Sequence, residues 1–479
     1  MNYSLIQRIL GMMLILFGFS LVIPIITSLL YNDQNTDIFI TSFIIFSLVG
    51  LIFYYPNRGE KNDIRTKEGF LIVVLFWVVL SLFGSIPFML DKQLSLSFAD
   101  ALFESVSGWT TTGATILNNI DTLTPSLLIY RQMLQWLGGM GIVILALAIL
   151  PMLGVGGMQL YKAESTGPIK DTKISPRIAE TAQNLWTVYL GLTFFCALSY
   201  FLAGMNLFDA ISHSFSTIAI GGFSTHDKSI GFFNSSAIES ICMIFMILSA
   251  MNFILHFLSL KNKSVKVYFQ DSEARTYLII MSFFILTITS YGLFSTDFTH
   301  LRHIFFQTIS FITTSGFTST TYNLWPSFII STLITASFIG ACAGSTGGGM
   351  KVIRIILLFK LIRRELLKLL HPSAELPIKM NDRLIPEDIA STAWNFFILY
   401  LISFFIISLI LLATGLDSTT AFSAVASCIN NLGPALGTAY GNYSSINDFA
   451  KYLLSFTMLL GRLEIFTLLI IITPYFWKY

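Results

Sequence analysis

Long apolar runs alternate with short polar connections along almost the whole chain. Each run approaches or exceeds the roughly 20 residues that a membrane-spanning helix needs. The ten runs cover residues 9–31, 38–56, 68–90, 131–154, 184–205, 236–260, 277–296, 326–360, 391–414 and 449–475. The first run is long enough to span and lacks a small-residue cleavage site, so we interpret it as a retained helix and not a signal peptide. The pattern predicts an all-α polytopic membrane protein with ten crossings.

Four of the connections contain a shorter, partly apolar segment that ends in a glycine. The four segments align without gaps over 14 residues: DALFESVSGWTTTG (100–113), DAISHSFSTIAIGG (209–222), HIFFQTISFITTSG (303–316) and TAFSAVASCINNLG (420–433). A helix of about twelve residues makes three turns and is too short to cross a bilayer. We therefore predict four re-entrant half-helices, each between two spans and each ending in a turn at membrane depth.

These repeats organise the chain into five segments. We expect four degenerate repeats of span, pore helix and span around a pseudo-fourfold pore, preceded by an N-terminal two-helix hairpin. The segments are 1–60 for the hairpin and 61–160, 161–270, 271–375 and 376–479 for the four pore repeats.

Composition and charge agree with a membrane protein and give it an orientation. Hydrophobic residues make up 54% of the chain and charged residues only 11%, against roughly 25% charged residues in soluble domains. Basic residues concentrate in the connections 57–69, 161–183, 259–276 and 360–386, which include Arg58, Lys173, Lys263 and Arg364. The positive-inside rule places these connections and both termini in the cytoplasm. The net charge of +2 therefore reflects topology and does not indicate a nucleic-acid partner.

The four glycine turns carry little reactive chemistry. Their sequences, TTTGAT, AIGGFST, TTSGFTS and NNLGPAL, contain no carboxylate, histidine or cysteine, so the turns offer no candidate for metal or nucleophilic catalysis. We expect the protein not to be an enzyme. Glycine permits positive φ, which can turn successive carbonyls to one side, as in a potassium filter. The alternative is that these are only turn or packing glycines, which four aligned copies disfavour.

A second glycine-rich stretch interrupts the eighth apolar run. GACAGSTGGGMK, residues 340–351, has five glycines in twelve residues, too many for a stable helix. Its spacing does not fit a phosphate loop, because Val352 stands where a hydroxyl is required. The alternatives are a simple kink or close helix crossing and a loop bordering a wet cavity, which better accounts for the unpaired backbone groups. We favour the loop.

Arg462 lies near the middle of the last apolar run, where an arginine is costly unless it meets water or acceptors. Glu464 is a poor partner because residues two apart point to different faces of a helix. We expect the carbonyls of the 340–351 stretch to accept from the guanidinium. Glu104 and Asp100 are expected to cap or pack helices, and Asp227 either attracts cations at the outer mouth or is a solvated loop residue.

The motifs GWTTTGAT, STIAIGGFSTHD, TTSGFTST and NNLGPALG, with GSTGGGMKVIR and GRLEIFTLL, resemble the Trk/Ktr/HKT superfamily of potassium transport proteins. The resemblance covers essentially the whole chain and is closest to the bacterial TrkH branch. It implies potassium uptake across the bacterial inner membrane, a homodimer and a cytosolic nucleotide-binding ring of the TrkA type. A coupled symporter using protons or sodium is the alternative. Potassium is the expected transported ion, and no organic cofactor is expected in this chain.

The resemblance also assigns roles to residues. It implies a potassium filter made by Thr111, Thr112, Gly113, Ile220, Gly221, Gly222, Thr314, Ser315, Gly316, Asn431, Leu432 and Gly433. It implies an intramembrane gate made by Gly340, Gly344, Ser345, Thr346, Gly347, Gly348, Gly349, Lys351 and Arg462. No repeat carries a full TVGYG sequence, so selectivity is expected to be looser than in tetrameric potassium channels.

Overall fold

The computed structural model describes residues 1–59, 65–148, 177–294, 301–381 and 383–478. These ranges are almost entirely helical, which confirms the all-α class. Among the described residues, six segments are long and apolar enough to cross a membrane, and the number is eight if each of two bent helix pairs is counted as one span. The six are Tyr3–Tyr31, Thr36–Asn57, Lys67–Leu90, Gln183–Leu202, Ser272–Phe294 and Ala390–Ala413.

The other two predicted spans have helices that do not meet this test of length and composition. Pro125–Ala148 occupies the fourth run, and Ser327–Ile339 and Val352–Leu370 flank the glycine stretch of the eighth. The count of ten crossings therefore stays a prediction. Parts of two predicted spans (149–154 and 295–296), most of the basic connection 161–183 with Lys173, and the segment boundaries at 60/61 and 160/161 lie outside the described residues.

Two apolar runs predicted as single helices are broken, so that prediction was wrong. Ser236–Ala250 and Phe253–Asn262 meet at 97°, and Asp448–Arg462 and Phe466–Ile472 meet at 117°. At the first break the side chain of Asn252 accepts the Ile254 N–H at 2.9 Å and so starts a new helix. At the second break Glu464 has a φ of 52°, which a helix cannot accommodate.

The four re-entrant helices form where the aligned segments predict them. Their bounds are Phe98–Trp109, Leu207–Ala219, Leu301–Ile312 and Ser418–Ile429. Three begin with a capping side chain, from Ser97, Asn206 and Asp417, which accepts the N–H three residues later. The cap of the first helix is thus Ser97, while Asp100 pairs with Lys451 at 2.6 Å.

The N-terminal hairpin packs against the first re-entrant helix. Its two helices approach closely at Gly11 and Gly50, where a side-chain carbon at Gly11 would lie 2.6 Å from the Gly50 carbonyl oxygen. Phe17 then contacts the rings of Phe46 and Trp109, with centroids 5.0 and 4.9 Å apart. The hairpin thereby covers one side of the first re-entrant helix.

The remaining elements are short connections and the helices already implied by the spans. The helices are Tyr3–Ser20, Val22–Tyr31, Thr36–Tyr54, Thr66–Gly84, Ile86–Leu90, Arg177–Leu202, Lys266–Gln270, Glu387–Ala413 and Pro474–Lys478. A minimal antiparallel hairpin pairs Lys379–Met380 with Arg383–Leu384. The four cysteines are buried and free, as expected of small core side chains.

Candidate functional site

The four glycine turns have the same backbone conformation. In each, the residue two before the glycine is left-handed: φ is 53° at Thr111, 53° at Ile220, 62° at Thr314 and 53° at Asn431. The glycines follow with φ of 80° at Gly113, 79° at Gly222, 79° at Gly316 and 97° at Gly433. The residue between them donates its N–H to the carbonyl five residues earlier in all four turns, at 2.8–2.9 Å. The ungapped sequence alignment therefore corresponds to four copies of one structural motif.

These four turns touch one another in a closed ring. A side-chain carbon added to any of the four glycines would collide with a carbonyl oxygen of the next turn. The distances are 2.1 Å from Gly113 to Gly221, 2.1 Å from Gly222 to Ser315, 2.0 Å from Gly316 to Leu432 and 2.6 Å from Gly433 to Thr112. The turns thus follow each other in chain order, and the fourth contacts the first. We name the twelve residues 111–113, 220–222, 314–316 and 431–433 the ring.

Buried side chains behind the ring hold some of its groups in place. Gln135 donates from Nε2 to the Gly221 carbonyl at 2.6 Å, and the Tyr443 hydroxyl donates to the Gly433 carbonyl at 2.8 Å. Asn431 donates from Nδ2 to the Thr112 hydroxyl at 3.0 Å, which links the fourth turn to the first. A carbonyl oxygen has two lone pairs, so each of these carbonyls keeps one for another partner.

All four ring glycines line one cavity of about 450 Å³, which we name the ring cavity. Its wall continues into the segments that follow each turn, including Arg131, Asp227 and Tyr322. The cavity therefore lies on the side of the ring that faces the segments following the turns. Its volume is ample for a hydrated ion, because a water molecule occupies about 30 Å³ of liquid.

The stretch 340–351 is a loop, as predicted, and it lies against the opposite side of the ring. The Gly348 N–H donates to the Thr314 hydroxyl at 2.7 Å, and the Gly349 N–H to the Asn430 carbonyl at 3.2 Å. The Thr346 hydroxyl donates to the Ile218 carbonyl at 2.9 Å. Ile218 and Asn430 lie at the ends of re-entrant helices, and Thr314 is itself a ring residue. We name residues 340–351 the glycine loop.

The first limb of the glycine loop pairs with the break in the second repeat. The Cys342 N–H donates to the Ala250 carbonyl at 2.9 Å, and the Phe253 N–H donates to the Gly344 carbonyl at 3.1 Å. The break at residues 251–252 thus frees backbone groups that the loop then satisfies. Neither Ala250 nor Gly344 has a local sequence pattern that indicates this pairing. The break was therefore not predicted.

Arg462 is buried at the end of its helix and donates to carbonyls, as expected. Nη1 reaches the Thr346 carbonyl of the glycine loop at 2.8 Å, and Nη2 reaches the Gly138 carbonyl at 3.2 Å. Its guanidinium carbon lies 5.6 Å from the centroid of the Trp77 aromatic side chain. The arginine therefore links the loop to two spans from different repeats.

Glu464 pairs with Arg354 and not with Arg462. The Arg354 guanidinium bonds to a Glu464 carboxylate oxygen at 2.5 Å and lies 4.2 Å above the ring of Phe396. Arg354 is the third residue of Val352–Leu370, the helix that continues from the glycine loop. The break after Arg462 and the start of this helix are thereby joined by an ion pair that the sequence analysis missed.

Glu104 has a different role from the expected capping or packing. Both Glu104 and Arg131 are fully buried, and Arg131 Nε donates to the Glu104 carboxylate at 2.8 Å. Glu104 also accepts the Ile116 N–H at 3.0 Å, and Arg131 Nη1 donates to the Ser224 carbonyl at 3.2 Å. The ion pair therefore connects the segments that follow the first and second ring turns.

Arg131→Met is expected to lower the melting temperature sharply, because it leaves the Glu104 charge buried and unpaired, at a cost of about 3–5 kcal/mol. The double variant Glu104→Gln, Arg131→Met removes both charges and is expected to recover a large part of the loss. Thermal unfolding of detergent-solubilised protein, followed by size-exclusion chromatography, measures both. A double variant no more stable than the single one would contradict this account of the pair.

A histidine at the mouth of the ring cavity connects the first two repeats. His226 Nδ1 lies 2.6 Å from Asp121 Oδ1, and Nε2 lies 3.2 Å from Asp209 Oδ2. Asp227 is anchored by the Ile120 N–H, which donates to its carboxylate at 2.9 Å. Asp227 is exposed and lines the ring cavity, so its role as a cation-attracting or a solvated loop residue stays a prediction.

We expect His226→Gln to destabilise the protein more in acidic than in alkaline buffer. Burial acts to lower the pKa of His226, but hydrogen bonds to Asp209 and Asp121 outweigh burial and raise the pKa above its ordinary 6.5. A raised pKa means that the stabilisation is complete below 6.5 and is lost as pH rises through the raised value. Melting temperatures of parent and variant across pH test this. An equal loss at both ends of the pH range would refute it.

Within residues 1–59, 65–148, 177–294, 301–381 and 383–478, no cluster of three His, Cys, Asp or Glu side chains could hold a metal ion. The structure brings the twelve predicted filter residues into one ring and sets the predicted gate residues beside it. The available ligands at the ring are main-chain carbonyls and threonine, serine and asparagine side chains.

Comparison with known proteins gives the family. The family model TrkH, described as a cation transport protein, matches residues 35–479. The Trk system potassium uptake protein TrkH of Halomonas elongata is 50% identical over 482 residues, and that of Escherichia coli is 48% identical. Each alignment covers 100% of both chains.

A solved structure agrees with the sequence matches. The crystal structure of the potassium transporter TrkH from Vibrio parahaemolyticus superposes with a TM-score of 0.92 at 46% identity, covering 100% of both chains. These relatives are transport proteins, in agreement with the expectation that the chain is not an enzyme. The chain belongs to the TrkH family of cation transport proteins.

Proposed function

We propose that this protein takes up potassium through a pore whose selective element is the ring. Its relatives of 48–50% identity are named as potassium uptake proteins. The observation that carries the proposal is the closed ring of four equivalent turns, with the ring cavity on one side and the glycine loop on the other. Carbonyl oxygens in such a ring can replace the hydration shell of an ion without a fixed charge.

The glycine loop serves as the gate in this proposal. It lies against the re-entrant helix ends and is held by hydrogen bonds to Thr314, Asn430 and Ile218. Arg462 adds a positive charge on the same side, which raises the barrier to a cation. The loop buries few large side chains, so a displaced conformation of similar free energy is physically reasonable.

The surroundings of the pore are also part of the proposal. We place the protein in a bacterial inner membrane with both termini in the cytoplasm, from the distribution of Lys and Arg. It acts as a homodimer and is regulated by a cytosolic nucleotide-binding ring of the TrkA type. The basic face of Val352–Leu370 follows the gate directly, so we place the contact with the TrkA-type partner there, at Lys360, Arg363 and Lys368.

The test is rubidium flux into liposomes that contain only this protein, with sodium and proton gradients varied independently. A pore predicts flux that follows the rubidium gradient and is unaffected by the other two. Flux driven against the rubidium gradient by protons or sodium would instead establish a symporter. Absence of rubidium flux from folded protein, with or without a TrkA-type partner, would refute potassium transport.

A further inference from the structure

A buried carboxyl group joins the glycine loop to the helix that follows it. One oxygen of Glu273, Oε1, accepts the Ala343 N–H at 2.7 Å and the Ile353 N–H at 3.2 Å. Glu273, Ala343 and Ile353 are 4%, 2% and 2% exposed, so water cannot easily replace these bonds. Ile353 is the second residue of Val352–Leu370, and its N–H has no acceptor within that helix.

The carboxylate is presented from a fixed position. Asp271 caps the helix that carries Glu273 by accepting the Ala274 N–H at 2.8 Å. Asn381, at the turn of the short hairpin, donates to Asp271 at 3.2 Å and accepts the Ser272 N–H at 3.0 Å. The start of this helix, and with it Glu273, is therefore held by its own cap and by the short hairpin.

We propose that Glu273 is a positioning residue that clips the glycine loop in its blocking place. The inference rests on the proposed role of the loop as a gate. The carboxyl oxygen accepts one N–H from the glycine loop, at Ala343, and one from the first turn of Val352–Leu370, where the N–H groups have no acceptor within the helix. Displacing the loop breaks both bonds together. Arg462 holds the middle of the loop through Thr346, and Glu273 holds Ala343 near its start and Ile353 in the helix that follows it.

The proposed role of Glu273 predicts different effects for two variants. Glu273→Ala removes the oxygen that accepts both bonds and leaves two N–H groups buried and unpaired, which favours a displaced loop whose amides meet water. We expect rubidium flux through the isolated protein to rise about tenfold, with the potassium-over-sodium ratio unchanged. Glu273→Gln keeps an oxygen that can accept both bonds, so its flux should stay closer to that of the parent than the flux of Glu273→Ala does.

A matched control separates the clip from general destabilisation. Glu68 is another buried carboxylate that accepts two backbone N–H groups, from Asn2 at 2.7 Å and Arg65 at 2.9 Å, but it lies at the start of the third predicted span and does not contact the loop. Glu68→Ala should leave flux per folded protein unchanged. Hydrogen exchange of the peptide that contains Ala343 and Ile353 should increase in Glu273→Ala and not in Glu68→Ala.

The outcomes distinguish this inference from the gate proposal. If Arg462→Ala raises flux while Glu273→Ala changes neither flux nor exchange of the loop, the gate stands and the clip is wrong. If Glu273→Ala increases exchange of the loop but no variant raises flux, the clip is supported as a structural contact and the gate fails. Equal flux increases in Glu273→Ala and Glu68→Ala would also overturn the clip.

Discussion

Serine at Gly316 is expected to abolish most of the preference for potassium over sodium while the protein still folds. The left-handed conformation costs a side chain about 1–2 kcal/mol, and the added carbon would lie 2.0 Å from the Leu432 carbonyl oxygen. The ring must therefore widen or the carbonyl must rotate, which removes the ligand geometry that selects the ion. Gly113→Ser should act in the same way, through the Gly221 carbonyl at 2.1 Å. The measurement is the potassium-over-sodium flux ratio in proteoliposomes.

Gly204 provides a control for backbone strain alone. Its φ is 104°, and an added carbon there meets no atom within 4 Å. Gly204→Ser should therefore lower stability slightly and leave the flux ratio unchanged. Parent-like flux ratios in well-folded Gly113→Ser and Gly316→Ser would remove the ring from the role of filter.

Loss of the Arg462 side chain is expected to raise rubidium flux through the isolated protein about tenfold or more. The variant Arg462→Ala loses two hydrogen bonds from a charged donor, each contributing about 1.5–3 kcal/mol, and one of them holds the Thr346 carbonyl of the glycine loop at 2.8 Å. It also removes a positive charge beside the ion path. Deletion of residues 344–349 should raise flux for the same reason, and selectivity should persist because the ring is intact.

Lys451→Met is the matched control for this variant. Lys451 is a buried cation on the same helix, but it pairs with Asp100 at 2.6 Å and does not contact the glycine loop. Its loss should reduce stability without raising flux. If Arg462→Ala and the loop deletion conduct no more than the parent while they remain folded, the loop is a packing feature and the gate lies elsewhere.

The features that could be predicted from the sequence are those with a local or repeated signal. The four re-entrant helices followed from aligned segments, and the glycine loop followed from glycine density within an apolar run. The carbonyl acceptors of Arg462 followed from the cost of an arginine in an apolar run together with a loop of unpaired carbonyls elsewhere in the chain, although Arg462 and Thr346 are 116 positions apart. In each case the segments themselves carry a signal within about twenty residues of sequence.

The features that were missed depend on residues far apart in the chain. Glu104 and Arg131 are 27 positions apart, Glu273 and Ala343 are 70 apart, and Arg354 and Glu464 are 110 apart. Each of these acids lies in or beside an apolar helix, where its partner is decided by how the repeats pack. The breaks at 251–252 and 463–465 were missed because one polar residue in each, Asn252 or Glu464, does not by itself end a long apolar run.

The central claim is that ions cross the membrane through the ring, and the most direct test is to locate rubidium in the protein. Crystals grown in rubidium, with data collected at the rubidium absorption edge, would show bound ions by anomalous scattering. The account predicts a peak on the axis enclosed by Gly113, Gly222, Gly316 and Gly433, between the ring cavity and the glycine loop. A ring without rubidium, at a concentration that supports flux and with peaks along another path, would contradict it.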